Sequence, residues 1–93
     1  MTESTNGDHR IRVYHWWPGR QFAGANPIPD WYLYHAEQRG SRYLTVAAIE
    51  VNGHRVTRAA YCCPKDSPSR ARGRHIAVAR LLTDLDDMER AGL

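Results

Sequence analysis

The chain is poor in cysteine and has neither a long hydrophobic run nor an internal repeat. Its two cysteines, Cys62 and Cys63, are neighbours. Disulfide geometry favours Cα atoms farther apart than one peptide unit allows, so neighbouring cysteines rarely bridge each other. They read as small, half-buried thiols of a reduced, intracellular protein. No apolar stretch is long enough to span a bilayer, and none has the pattern of a signal peptide. The histidines, His9, His15, His35, His54 and His75, lack the spacing of a zinc site, so no structural metal is expected. Paired carboxylates, a serine triad and a glycine-rich phosphate loop are also missing. A Cys62 or Cys63 thiol beside His75 would be a nucleophile–base pair, but adjacent buried cysteines are ordinarily inert. These absences argue against an enzyme and against a cofactor.

What is present is a chain of 93 residues, the length of one domain with a modest core. The 42% hydrophobic and 25% charged content is that of an ordinary globular protein. A formal net charge of +3 is compatible with a nucleotide or nucleic-acid partner without establishing either. The placement of charge says more than its sum. Lys65, Arg70, Arg72, Arg74 and Arg80 stand against Asp66 alone between positions 64 and 80. Asp84, Asp86, Asp87 and Glu89 stand against Arg90 alone from position 81 onward.

Residues 1–9 are polar and aperiodic and read as a loose tail, leaving 10–93 as a single domain. Arg10 to Trp17 alternates as a strand and ends at Pro18-Gly19. A loop rich in glycine and proline follows, and Trp31 to Glu37 reads as a second, aromatic-rich strand. Arg42–Val51 and His54–Cys63 flank Asn52-Gly53, the strongest short hairpin signal because both turn positions need positive φ. A two-residue turn pairs Val51 with His54, Ile49 with Val56, Ala47 with Arg58, Thr45 with Ala60 and Tyr43 with Cys62. The expected fold is α+β, a small antiparallel sheet of about four strands packed by one long C-terminal helix.

That helix is expected from about Pro68 to Ala91, with Ser67 as its N-cap, Pro68 in the first position and Gly92 ending it. Val78, Leu81, Leu82, Leu85 and Met88 fall on one stripe, which should lie on the sheet. Arg70 and Arg74 share that stripe, while Arg72 and Arg80 point mostly to solvent. Arginines at a helix N-terminus add to the positive end of the dipole, so something must offset them. A bound anion would do so, and so would internal carboxylates such as Asp66, Asp30 or Glu50.

The aromatic set comprises Tyr14, Trp16, Trp17, Phe22, Trp31, Tyr32, Tyr34, Tyr43 and Tyr61. Most strand aromatics pack in a core, yet neighbours such as Trp16 and Trp17 cannot both face inward. Stacking on a base is the functional alternative, with Tyr43 as a platform. The candidate ligand-binding set is therefore Arg70, Arg74 and Lys65 for phosphates, and Tyr43, Trp17 and Asn52 around them. The acidic run near the C-terminus reads either as a solvated face or as a surface that meets the Arg72 and Arg80 side of another protomer.

The run Cys62-Cys63-Pro64-Lys65-Asp66, then Ser69-Arg70-Ala71-Arg72-Gly73-Arg74-His75-Ile76-Ala77-Val78-Ala79-Arg80-Leu81, resembles the C-terminal part of phage anti-Thoeris sponge proteins. The resemblance covers the last third to half of the chain. It implies a bacteriophage anti-defence protein of the host cytoplasm, which would sequester a cyclic or ADP-ribose-type nucleotide signal without catalysis. It also implies a homo-oligomer with pockets between protomers, Arg70 and Arg74 holding phosphates. A second resemblance, strand, Val-Asn-Gly turn, strand and a basic-ended helix, is similar to the later part of a double-stranded-RNA-binding domain. A third class is a protein-binding inhibitor of a host defence complex, with the tryptophan-rich half as its surface.

Overall fold

The computed structural model describes residues 11–63, 65 and 67–92. The expected N-terminal tail, and Pro64 and Asp66 of the basic motif, lie outside the described residues. The chain forms strand β1 (Arg12–Trp16), helix α1 (Asp30–Arg39), strands β2 (Leu44–Val51) and β3 (His54–Tyr61), and helix α2 (Arg70–Arg90).

The hairpin forms in the expected register. Asn52 has φ 53° and Gly53 φ 79°, the two positive values that a tight two-residue turn requires. Val51 pairs with His54, Ile49 with Val56, Ala47 with Arg58 and Thr45 with Ala60, the ladder running on to Leu44 and Tyr61. The Cys62 amide then donates to the Tyr43 carbonyl at 2.9 Å, carrying the pairing one residue past the strands. β1 pairs antiparallel along the other side of β2, from Arg12 opposite Ala48 to Trp16 opposite Leu44. Among the described residues the sheet thus has three strands in the order β1-β2-β3, and the expected fourth is not there.

The missing strand is α1. Trp31, Tyr32 and Tyr34 favour strands in isolation, but the flanking residues decide otherwise. Pro29 precedes the first turn, Asp30 places its carboxylate at the positive end of the dipole, and the Tyr32 amide bonds the Pro29 carbonyl at 3.1 Å. Gly40, at φ 67°, ends the helix with its amide on the Ala36 and Glu37 carbonyls. Tyr32, Leu33 and Ala36 turn inward while Trp31 and Tyr34 stay exposed, a helical division of faces.

Because β2 is central and side chains alternate along it, it supplies both halves of the core. Leu44 and Val46, with Ala59, meet Ile28 and are flanked by Tyr14, Trp16, Phe22, Tyr32 and Leu33 of the α1 side. Ala47 and Ile49, with Ala60, meet Ala77 and Leu81 of α2 on the opposite face. The sheet is therefore covered on both faces.

α2 begins two residues later than the Ser67-Pro68 signal suggests. Ser69, in an extended conformation, is the cap, and its hydroxyl accepts from the Arg72 amide at 3.2 Å. Val78, Leu81 and Leu85 of the expected stripe do pack on the sheet, but the face is rotated enough that Leu82 leaves it. Gly73, Ala77 and Leu81 point at the sheet, Ile76, Val78 and Leu85 flank them, and Leu82 is 51% exposed. The reason is size: a Cβ on Gly73 would stand 2.4 Å from Thr45 Oγ1 and 3.2 Å from Thr45 Cβ. Small residues at 73 and 77 let the start of α2 lie directly on β2. Gly92, at φ 81°, follows the helix as its terminator.

The rotation also engages charges expected in solvent. Arg80 donates to the Ala59 carbonyl at 2.7 Å, and Arg58 is hydrogen-bonded to Asp84. Arg80 thereby covers a carbonyl of β3, an edge strand open on one side. Asp86 pairs with Arg90 one turn on at 3.0 Å. Part of the acidic run is thus paired within the protomer.

Candidate functional site

The start of α2, the end of β1 and the turn after it meet at one corner of the sheet. Trp17, Pro18, Gly19 and Arg20 form a reverse turn. Gly19 has φ 92°, as the third position of a type II turn needs, and the Arg20 amide donates to the Trp17 carbonyl at 3.0 Å. The turn folds Arg20 back so that its guanidinium lies 4.9 Å from the Trp17 ring centre and 4.3 Å from that of Phe22, and it donates to the His15 carbonyl. Arg70, at the first position of α2, lies 6.0 Å from the same Trp17 ring.

Beneath this shelf sits Tyr43. Its ring is parallel to that of Trp17 within 1°, the centres 6.1 Å apart, and 5.5 Å from His15. Tyr43 is only 8% exposed, whereas Trp17 is 37% exposed. The expected roles are therefore divided differently. Trp17 is the more accessible ring, and Tyr43 is its buried support.

His15 records the charge of the corner. Its Nδ1 is 3.1 Å from Thr45 Oγ1, and its pKa is lowered, first by burial and then by the positive charges of Arg70, Arg20 and Arg74. Asp30 and Glu50 make no ion pair with Arg70 or Arg74 among the described residues, while Asp66 lies outside them. The corner is a positive field with aromatic walls.

The lowered pKa fixes the sign of a pH effect. The unfolded chain takes up the His15 proton near pH 6.5, above the pH at which the folded chain does so. Stability is therefore full above about pH 6.5 and declines as the pH falls below it. A bound anion would raise the His15 pKa, so anion affinity should grow over the same fall in pH. His15→Gln should flatten both dependences. Thermal melts from pH 8 to 5.5, with and without inorganic phosphate, check this, and an unchanged slope in the variant would contradict it.

Of the expected ligand contacts, the structure gathers Trp17, Tyr43 and Arg70, and the charge of Arg74 is felt at His15. Lys65 is exposed in the connection between β3 and α2. Asn52 sits in the hairpin turn at the far end of β2 from Tyr43, roughly 30 Å away at strand rise, and is not part of the corner. Arg72, expected in solvent, lines a cavity of about 140 Å³ with Tyr43, Thr45, Ser69 and Gly73. Sequence reasoning missed Arg20 and His15. The Pro18-Gly19 pair carried a signal for Arg20, because a type II turn returns its fourth residue beside its first. Compared with family models, with curated proteins and with solved structures, the chain finds no match in any of the three.

Proposed function

We propose that the protein captures an anionic nucleotide, without catalysis, at the corner formed by Trp17, Arg20, Arg70 and Arg74. The observation that carries the reading is the gathering of the Arg20 and Arg70 guanidiniums beside a partly exposed tryptophan ring, with the charge of Arg74 also felt at His15. Guanidinium groups bind phosphate with directed, charge-assisted hydrogen bonds, and an indole face accepts a base. The groups assembled there hold a ligand and shield it. Sequestration of a cyclic or ADP-ribose-type immune signal in a phage-infected host is the biological role this proposal carries with it.

A melting series tests the reading. Cyclic nucleotides and ADP-ribose should raise the melting temperature, because a ligand that binds only the native state stabilises it. A long RNA duplex should bind weakly and lose affinity steeply with salt. Tight duplex binding with no response to any nucleotide would favour the RNA-binding class. The described helix α1 lies between β1 and β2, not ahead of the first strand as that class requires. Trp31 and Tyr34, 59% and 58% exposed on α1, are the surface a protein-binding inhibitor would use, and silence toward both nucleotides and RNA would favour it.

Assembly belongs to the same proposal. The cavity of about 140 Å³ is well below the roughly 300–1,000 Å³ of small-molecule pockets, and the Trp17 shelf is open on one side. Enclosing a whole nucleotide calls for a second protomer over the corner. Sedimentation at micromolar concentration should show a dimer or larger species. A strict monomer that binds nucleotide tightly would contradict it.

A further inference from the structure

We infer that a second copy of the chain pairs with the open edge of β1, joining two three-stranded sheets into one of six strands. This rests on the reading of the protein as an assembly of two or more subunits and names the surface that joins them. The register decides which backbone groups face outward. The Cys62 amide bonds the Tyr43 carbonyl, and bonded pairs alternate with unbonded ones along an antiparallel ladder. Thr45, Ala47 and Ile49 therefore bond across to β3. Leu44, Val46 and Ala48 turn their N–H and C=O groups the other way, to Trp16, Tyr14 and Arg12 of β1. The same groups of Val13 and His15 then point away from β2. The bond from the Arg20 guanidinium to the His15 carbonyl fits this phase, since a carbonyl facing β2 would already be engaged there. Among the described residues nothing bonds the Val13 amide or carbonyl.

The other edge of the sheet is capped. By the same alternation Thr57 and Ala59 of β3 face outward, and their carbonyls are taken by the Arg58 and Arg80 guanidiniums. An isologous pair that consumes the one open edge stops at two subunits, where two open edges would let the sheet grow. Self-pairing also suits the side chains. With Val13 opposite Val13 of the second copy, the bonded pairs fall between Ile11 and His15, ahead of the Trp17–Arg20 turn. Arg12, which is exposed, then stands opposite the half-buried Tyr14 of the copy, a cation facing a ring on both sides of the twofold axis. Because β1 runs into the corner at Trp17, a copy paired along it stands beside the nucleotide-binding corner.

Val13→Pro removes the outward N–H without taking a bond from the protomer's own sheet. In sedimentation at micromolar concentration the wild type should be a dimer and Val13→Pro a monomer. Arg80→Ala uncovers the Ala59 carbonyl on the second edge and should add species larger than a dimer. Hydrogen exchange of the wild-type protein gives a reading that needs no variant. Protection of the Val13 amide should rise about tenfold or more from dilute to concentrated samples, as the dimer forms. A dimer that persists in Val13→Pro, or a Val13 amide that exchanges freely in the wild-type dimer, would overturn the inference and leave assembly over the corner standing. Protection that does not change with concentration would also overturn it, since the edge would then be covered within one protomer. A wild type that stays monomeric at every concentration would overturn both the inference and the assembly reading.

Discussion

Gly73→Ala should lower the melting temperature, by up to about 15 °C. An exposed mid-helix glycine replaced by alanine ordinarily gains up to about 1 kcal/mol of helix propensity. Here the new methyl would stand 2.4 Å from Thr45 Oγ1 and 3.2 Å from Thr45 Cβ. Thr45 cannot swing aside cheaply, because it is β-branched, 1% exposed and hydrogen-bonded to His15. Overpacking of this kind costs roughly 1–3 kcal/mol, and at the Gly73 contact it must also cancel the propensity gain. For a domain of this size each kcal/mol shifts the midpoint by about 4–8 °C. Thr45→Ala removes the obstructing atoms, so the double variant should be more stable than the sum of the two single changes predicts. Calorimetric melts of the four proteins give the answer. A rise in melting temperature for Gly73→Ala alone would mean that α2 does not lie on β2 as described.

The paired change Arg70→Ala and Arg74→Ala has the largest expected effect on binding. A charge-assisted hydrogen bond to phosphate contributes roughly 1.5–3 kcal/mol, so losing two should weaken nucleotide binding at least a hundredfold. Stability should move the other way or not at all. The two guanidiniums add, with Arg20, to the positive charge felt at His15 and have no carboxylate partner among the described residues, so removing them relieves repulsion. Arg72 lines the cavity and is no control. Arg90, paired with Asp86 at the other end of α2, is the appropriate one. A fall in melting temperature of the ligand-free double variant, with binding unaffected, would make the arginines structural.

These outcomes depend on features of unequal legibility in the sequence. The hairpin register could be read residue by residue, because Asn52-Gly53 admits one turn geometry and the turn fixes every pair that follows. α1 could not be read from its aromatics, whose strand preference is overruled by Pro29, Asp30 and the Gly40 cap. The phase of α2 was legible at Val78, Leu81 and Leu85 but not at Leu82, for a related reason. Apolar periodicity points to Leu82, whereas the close approach of Gly73 to Thr45 decides which face turns inward, and small residues contribute little to a hydrophobic stripe. Arg70 and Arg74 were visible as charge at a helix start. That Arg20 and His15 join them follows from pairing β1 beside β2 and from the Trp17–Arg20 turn, contacts that no local pattern specifies.

The central claim is that the corner holds an anionic nucleotide. Native mass spectrometry of the full chain mixed with ADP-ribose, beside the Arg70→Ala, Arg74→Ala double variant, tests it most directly, because one spectrum reports ligand mass and subunit number together. The account predicts a wild-type assembly of two or more subunits carrying ligand and a double variant without it. Ligand-free wild-type protein at about a hundredfold excess of nucleotide, or equal occupancy in the two proteins, would contradict it.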